Sequence, residues 1–236
     1  MINTSLLKEK AAFFGVDLDE KALERFDRYA EMLVETNKVM NLTAITQPDE
    51  IVIKHFADSL SLLKYIDIPQ NSTVIDVGTG AGFPGVALLI ARPDIKLTLL
   101  DSLNKRLVFL KKVINELGLA ADTVHLRAEQ GGQDKNFREK YGFAVSRAVA
   151  SLPVLAEYCL PFVCVGGEFI AMKASAADEE LKEADNALKL LGGKTVLNES
   201  FDLFGMGERS IIGIKKISQT PTRYPRASAK ISAKPL

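Results

Sequence analysis

The sequence predicts an α/β fold: a mostly parallel seven-stranded sheet with an antiparallel C-terminal edge pair, preceded by an N-terminal helical extension. Three observations predict it. Short apolar segments alternate with helical ones from about residue 73 onward, the mark of βαβ units with both sheet faces covered. A glycine-rich decapeptide, DVGTGAGFPG (76–85), joins the first such strand to the first such helix. The last two strand-like segments, KTVLNES and RSIIGIKKI, have no helix between them, which makes them antiparallel neighbours.

The elements follow in order. EKALERFDRYAEMLVETNKVM places Leu23, Phe26, Ala30 and Leu33 on one stripe at spacings of three and four, an amphipathic helix. Pro48 and Asp49 start another helix, with Ile53, Phe56, Leu60 and Leu63 as its apolar face. Turn-rich IPQNS ends this extension, residues 1–69. TVIDVG is then a strand, GVALLIARP a helix and KLTLLD a second strand. NKRLVFLKKVINELGL is a helix with Leu107, Leu110, Ile114 and Leu117 on one side and Gly118 as its stop. TVHLRA is the third strand, 129–140 a helix or loop, and FAVSRAV the fourth strand. LPVLAEYCLPFV is helical after Pro153, GGEFIAMK is the fifth strand, and DEELKEADNALKLLGG is a helix closed by Gly192 and Gly193. This domain spans 70–217. Residues 218–236, SQTPTRYPRASAKISAKPL, bury little by composition and are expected to be a flexible tail.

Composition sets bounds on function. A chain of 236 residues, 47% apolar and 25% charged, can build one sizeable core with an extension. Cys159 and Cys164 sit in the apolar run YCLPFVCVGG, with no His or Cys cluster around them; buried thiols and no metal site are expected. The N-terminal stretch has no apolar core of signal-peptide length, and VALLIA is too short to span a bilayer, so a soluble cytoplasmic monomer without membrane contact is expected. The zero net charge hides an asymmetry. Residues 211–236 hold six basic residues and no acid, against 24 basic and 30 acidic residues before them. Basic tails commonly meet nucleic acid.

The glycine loop fits two patterns. Asp76 followed by Gly78, Gly80 and Gly82 is an acid-started D-x-G-x-G-x-G, as in S-adenosylmethionine sites. Gly80, Gly82 and Gly85 give G-x-G-x-x-G, the dinucleotide fingerprint. Asp101, at the end of the second strand, suits a ribose hydroxyl in either. Charge favours the first. A pyrophosphate wants free N–H groups at a helix N-terminus; Asp76 opposes that anion and Pro84 removes a donor. The ammonium and sulfonium of S-adenosylmethionine favour a nearby carboxylate. Ala128 and Glu129, in the RAE at the end of the third strand, are placed for the adenine side, although Glu129 reads equally as a helix N-terminal acid. Arg147, at the end of the fourth strand, sits where cofactor or substrate is met; as an ion-pair residue it needs a partner.

Methyl transfer from a sulfonium needs alignment more than acid or base. The sequence has no Asn-Pro-Pro-aromatic loop for an exocyclic amine and no cysteine placed as a nucleophile, which fits a proton-free ring nitrogen such as guanine N7. No catalytic base is assigned; His55 reads as a capping or core histidine. In the tail, basic residues interleave with Tyr224 and three prolines, and an aromatic can stack on a base.

Taken together these stretches resemble the bacterial 16S ribosomal RNA guanine-N7 methyltransferases, the glucose-inhibited division protein B family. The matching segments run in order along nearly the whole chain: NLTAI (41–45), KHFADSL (54–60), DVGTGAGFPG (76–85), DSLNKRLVFL (101–110), RAE (127–129), SRAVASL (146–152), MKA (172–174) and YPR (224–226). GAGFPG followed by DSLNKR is the specific combination. The resemblance implies a Rossmann-like class I methyltransferase that transfers a methyl group from S-adenosylmethionine to N7 of one guanine in 16S rRNA, free or in the small-subunit particle. It carries cofactor contacts onto Gly78, Phe83, Ala128, Glu129 and Arg147, matches Asp101 to the ribose, and makes Lys173, Arg223, Tyr224, Arg226 and Lys230 RNA contacts. After YPR the chain departs from the family's Gly-x-Pro element, reading ASAKISAKPL, which bears on how the tail docks.

Overall fold

A computed structural model describes residues 1–147, 150–174 and 177–236. Four helices come first: α1 (Thr4–Phe13), α2 (Glu20–Met40), α3 (Pro48–Ile51) and α4 (Asp58–Tyr65), with a π-helical turn, Val52–Ala57, between the last two. The strands are β1 (Thr73–Val77), β2 (Lys96–Asp101), β3 (Ala121–His125), β4 (Tyr141–Arg147), β5 (Val163–Lys173), β6 (Gly193–Asp202) and β7 (Glu208–Lys216). Between them lie α5 (Gly85–Ala91), α6 (Asn104–Glu116), α7 (Ala128–Gln133), α8 (Leu152–Cys159) and α9 (Ala177–Leu191); α10 (Ser228–Ala233) lies in the tail.

The strand order is β3-β2-β1-β4-β5-β7-β6, parallel as far as β5 and antiparallel across β7 and β6. Strand order reverses between β1 and β4, so a crevice opens there beyond the carboxyl ends of the strands. Strand periodicity builds two cores. Val74, Leu99, Val145 and Ile170 face one side and pack with the N-terminal helices, α5 and α6. Their neighbours Ile75, Leu100, Ala144 and Ala171 face the other, under α7, α8 and α9. The N-terminal helices thus share a core with the sheet. The buried stripe of α2 is Ala22, Phe26, Tyr29, Ala30 and Leu33; Leu23 lies at its edge, half-buried. Cys159 is buried and Cys164 half-buried.

Two local expectations change. The RAE segment does not end β3, which stops at His125; Arg127 is the extended N-cap of α7, and Ala128 and Glu129 form its first turn. The tail is docked rather than free. Composition hid this because the body supplies the tail's partners. Arg138 donates to the carbonyls of Thr220 (2.6 Å) and Tyr224 (2.8 Å), and Gln133 to that of Pro225 (3.0 Å). Tyr224 and Ile231 are buried. Among the described residues no helix is long and apolar enough to cross a membrane.

Candidate functional site

The glycine loop is held from below. Asp76 is fully buried, and its Oδ2 accepts from the Thr79 hydroxyl (2.7 Å) and the Gly85 amide (2.9 Å). Its Oδ1 is buried without a hydrogen-bond partner. Burial lifts this carboxyl to about pH 6, with the two hydrogen bonds working against the rise. Gly82, at φ 103°, lets the loop press on α2: a Cβ there would lie 2.5 Å from Tyr29 Oη and 2.8 Å from side-chain atoms of Leu110 and Val86. The Tyr29 hydroxyl donates to the Ala81 carbonyl, tying the loop to the helical extension. The Phe83 ring points the same way, stacked between Tyr29 (5.3 Å between centroids) and His55 (4.5 Å).

This loop has few amides to offer a ligand. Gly78 and Thr79 donate to the Leu100 carbonyl, Gly82 and Phe83 to that of Thr79, Gly80 to Asp101 Oδ2 and Gly85 to Asp76. Pro84 has no N–H. A pyrophosphate needs those donors free, so the dinucleotide register fails on geometry as well as charge.

Two cavities meet at Arg147. The first, about 430 Å³, is walled by Val77, Gly78, Leu100, Asp101, Ala128, Glu129 and Arg147, and also by Tyr158 and Ser228. Five of the expected cofactor residues therefore line it: Gly78, Asp101, Ala128, Glu129 and Arg147. Asp76, Gly82 and Phe83 lie behind the loop, because their side-chain or Cβ positions are occupied by Thr79, Tyr29 and His55 contacts; Gly80 anchors Asp101 through its amide. Asp101 is fixed by three donors: the Gly80 amide (2.9 Å), the Leu103 amide (2.8 Å) and Arg106 (3.3 Å). Apolar Val77, Leu100 and Leu155 line the same space. A fixed carboxylate beside an apolar slot, with most of the loop amides already spent, fits the ribose and adenine of S-adenosylmethionine.

The second cavity, about 240 Å³, lies on the β5 and β7 side of Arg147 and is lined by Lys54, His55, Asp58, Lys173 and Arg209 among others. Asp58 is its hub. One carboxylate oxygen takes Arg147 Nη1 at 2.8 Å and the other lies 3.2 Å from Arg209 Nε. Arg147 also donates to the Lys54 carbonyl (3.1 Å) and its guanidinium lies 5.0 Å above the Phe83 ring. His55 Nδ1 is 3.3 Å from Arg147 Nη2, and Nε2 is 2.8 Å from Thr43 Oγ1. A guanidinium only donates, so the neutral His55 accepts at Nδ1 and donates from Nε2. Burial first, then the Arg147 charge, lower His55 to about 3, which removes it as a base at neutral pH.

The ion-pair partner that Arg147 needs is thus Asp58, and sequence reasoning assigned neither Asp58 nor Arg209. Asp58 follows a π-helical turn, a feature that gathers at functional sites and that apolar periodicity does not register. The expected RNA contacts divide. Lys173 is spent on the Ala150 carbonyl (2.6 Å) and Glu180 (2.9 Å), Arg226 on Glu157 (2.7 Å), and Tyr224 is buried. Arg223 and Lys230 are exposed. In SRAVASL, Ala148 and Val149 lie outside the described residues.

Comparison with known proteins identifies the chain's relatives. Residues 22–211 match the GidB family model, described as rRNA small subunit methyltransferase G. The chain is 52% identical over 233 residues to the ribosomal RNA small subunit methyltransferase G of Acetivibrio thermocellus, covering 98% of this chain and 96% of that one. It is 48% identical to the same enzyme of Alkaliphilus metalliredigens across the full length of both. Among solved structures, a geranyl diphosphate C-methyltransferase from Streptomyces coelicolor superposes with a TM-score of 0.55 at 11% identity, covering 68% of this chain and 79% of that one. Methanococcus jannaschii fibrillarin gives 0.52 at 16%, covering 69% and 74%. These two distant matches speak to the fold alone, a class I methyltransferase sheet. On its full-length relatives and its own loop, the chain belongs to the rRNA small subunit methyltransferase G family.

Proposed function

We propose that the protein methylates N7 of a guanine in 16S rRNA, using S-adenosylmethionine held in the larger cavity, and that it acts as a cytoplasmic monomer. The observation that carries the cofactor assignment is the glycine loop, most of whose amides are spent internally, beside a fixed Asp101. Held there, S-adenosylmethionine would supply an electrophilic methyl group on a sulfonium, suited to a ring-nitrogen lone pair such as that of N7. N7 carries no proton, so no residue has to remove one. That agrees with His55 being held neutral and too weakly basic to act. The residues' task is to align two partners and exclude water.

Arg147 stands between the two cavities and fixes their spacing. Asp58 holds it from one side and the Phe83 ring supports it from below. The smaller cavity, which Arg147 and Arg209 border around Asp58, suits a guanine turned out of its stack. Exposed Arg223 and Lys230 extend the basic surface for rRNA, with Lys173, Tyr224 and Arg226 acting through the packing that supports it.

The test is methylation of unmodified 16S rRNA and of small-subunit particles with methyl-labelled S-adenosylmethionine, the modified base being located by borohydride–aniline cleavage. Label at one guanine N7 is expected. Label on protein alone, or on an exocyclic amine, overturns the assignment.

A further inference from the structure

The C-terminal segment reaches the larger cavity, where Ser228 joins the lining. Its anchor is unusual. Glu157, in the middle of the apolar helix α8, is fully buried and takes Arg226 through both carboxylate oxygens, Nε at 2.9 Å and Nη2 at 2.7 Å, and through the Arg226 amide at 2.8 Å. A buried carboxylate with that many charge-assisted contacts fixes the backbone around Arg226. Two residues later Ser228 enters the cavity wall, its hydroxyl 2.8 Å from the hydroxyl of Tyr158, which follows Glu157 on α8. The same cavity is lined by Asp101 at the end of β2 and by Ala128 and Glu129 in the first turn of α7.

We propose that this C-terminal segment is part of the cofactor site: Ser228 and Tyr158 contact the adenine moiety, and the Arg226–Glu157 pair is the positioning device that brings Ser228 there. Adenine presents a donor amine and several acceptor ring nitrogens, and two paired hydroxyls can both donate and accept. An apolar face beside them, from Leu100 and Leu155, suits the ring. The segment thereby has a role besides any contact with RNA, and its basic residues divide accordingly: Arg226 turns inward to Glu157, whereas Arg223 and Lys230 face solvent.

This rests on reading the larger cavity as the S-adenosylmethionine site, and the experiment separates the two. S-adenosylhomocysteine binding to the full chain is measured by calorimetry for wild type and Ser228→Trp, with melting temperature of the free protein and affinity for a 16S rRNA fragment without cofactor measured in parallel. Wild type is expected to bind. Ser228→Trp, which puts an indole at the cavity wall, is expected to weaken binding at least about tenfold while melting and RNA affinity stay at wild-type values. Failure of wild type to bind overturns the proposed function; wild-type affinity in a folded Ser228→Trp protein overturns the present inference alone. Should Ser228→Trp not fold, Ser228→Ala decides. A loss of about threefold to tenfold supports the contact, and unchanged affinity overturns it.

Discussion

The two cavities either side of Arg147 are built by different means. The larger is a backbone site: strand ends, a glycine loop and the first turn of α7 set its walls, and amide hydrogen bonds hold them. The smaller is a side-chain site, in which Arg147 and Arg209, from β4 and β7, are held by charge around the one buried carboxylate of Asp58. A backbone site breaks through strain. A side-chain site breaks through loss of a countercharge. Changes of each kind should therefore separate cofactor binding from methyl transfer.

The largest effect is expected from Gly82→Ala. The new Cβ would be forced into φ 103° and against Tyr29 Oη, Leu110 and Val86, with Tyr29 already tied to Ala81. Positive-φ strain and overpacking together cost about 3 kcal/mol or more. Thermal unfolding should show a marked drop in melting temperature, and calorimetry a loss of S-adenosylhomocysteine affinity. Wild-type values for both would mean that the loop is not braced against α2.

Asp58→Asn comes next and tests the other site. It keeps the volume and leaves Arg147 and Arg209 without their shared anion. Displacement of Arg147 should lower methyl transfer about 100-fold, the scale of a 1 Å misplacement, while S-adenosylhomocysteine affinity, to which Arg147 is one of several contacts, falls much less. Equal losses in both would show that the cavities do not function as separable parts.

The same division governs what could be read in advance. Strand alternation and the glycine loop are local patterns, so β1, β2 and the cavity residues Gly78, Asp101 and Arg147 were legible from spacing alone. Asp58 was not, since its partners Arg147 and Arg209 are 89 and more residues away and the intervening turn is π-helical. The docking of the tail is hidden from composition for a related reason. Its Ser, Pro and Lys content describes what it buries of itself, not what Arg138, Gln133 and Glu157 offer it. One signal was present. Glu157 stands within LPVLAEYC, which has no other charge, and a carboxylate in such a helix requires a cation from elsewhere in the chain.

The smallest expected effect is one of pH, and it sets the two sites against each other. His55, beside the smaller cavity, has its folded pKa lowered to about 3 from an ordinary 6.5, by burial and then by Arg147. As pH falls below 6.5 the unfolded chain takes up a proton that the folded one refuses, so the stability His55 contributes above pH 6.5 is lost progressively toward pH 3. Asp76, beneath the glycine loop, has its folded pKa raised by burial to about 6 from 3.8. Here the folded chain takes the proton first, so stability is gained as pH falls from about 6 to 3.8. Between those values the two slopes oppose each other, each tending toward about 1.4 kcal/mol per pH unit at its limit. Melting curves recorded from pH 7 to pH 4 should then diverge: Asp76→Asn loses stability more steeply in acid than wild type, and His55→Gln less steeply. Parallel curves for all three proteins would contradict the two shifts, and with them the assignment of His55 as a buried neutral support for Arg147.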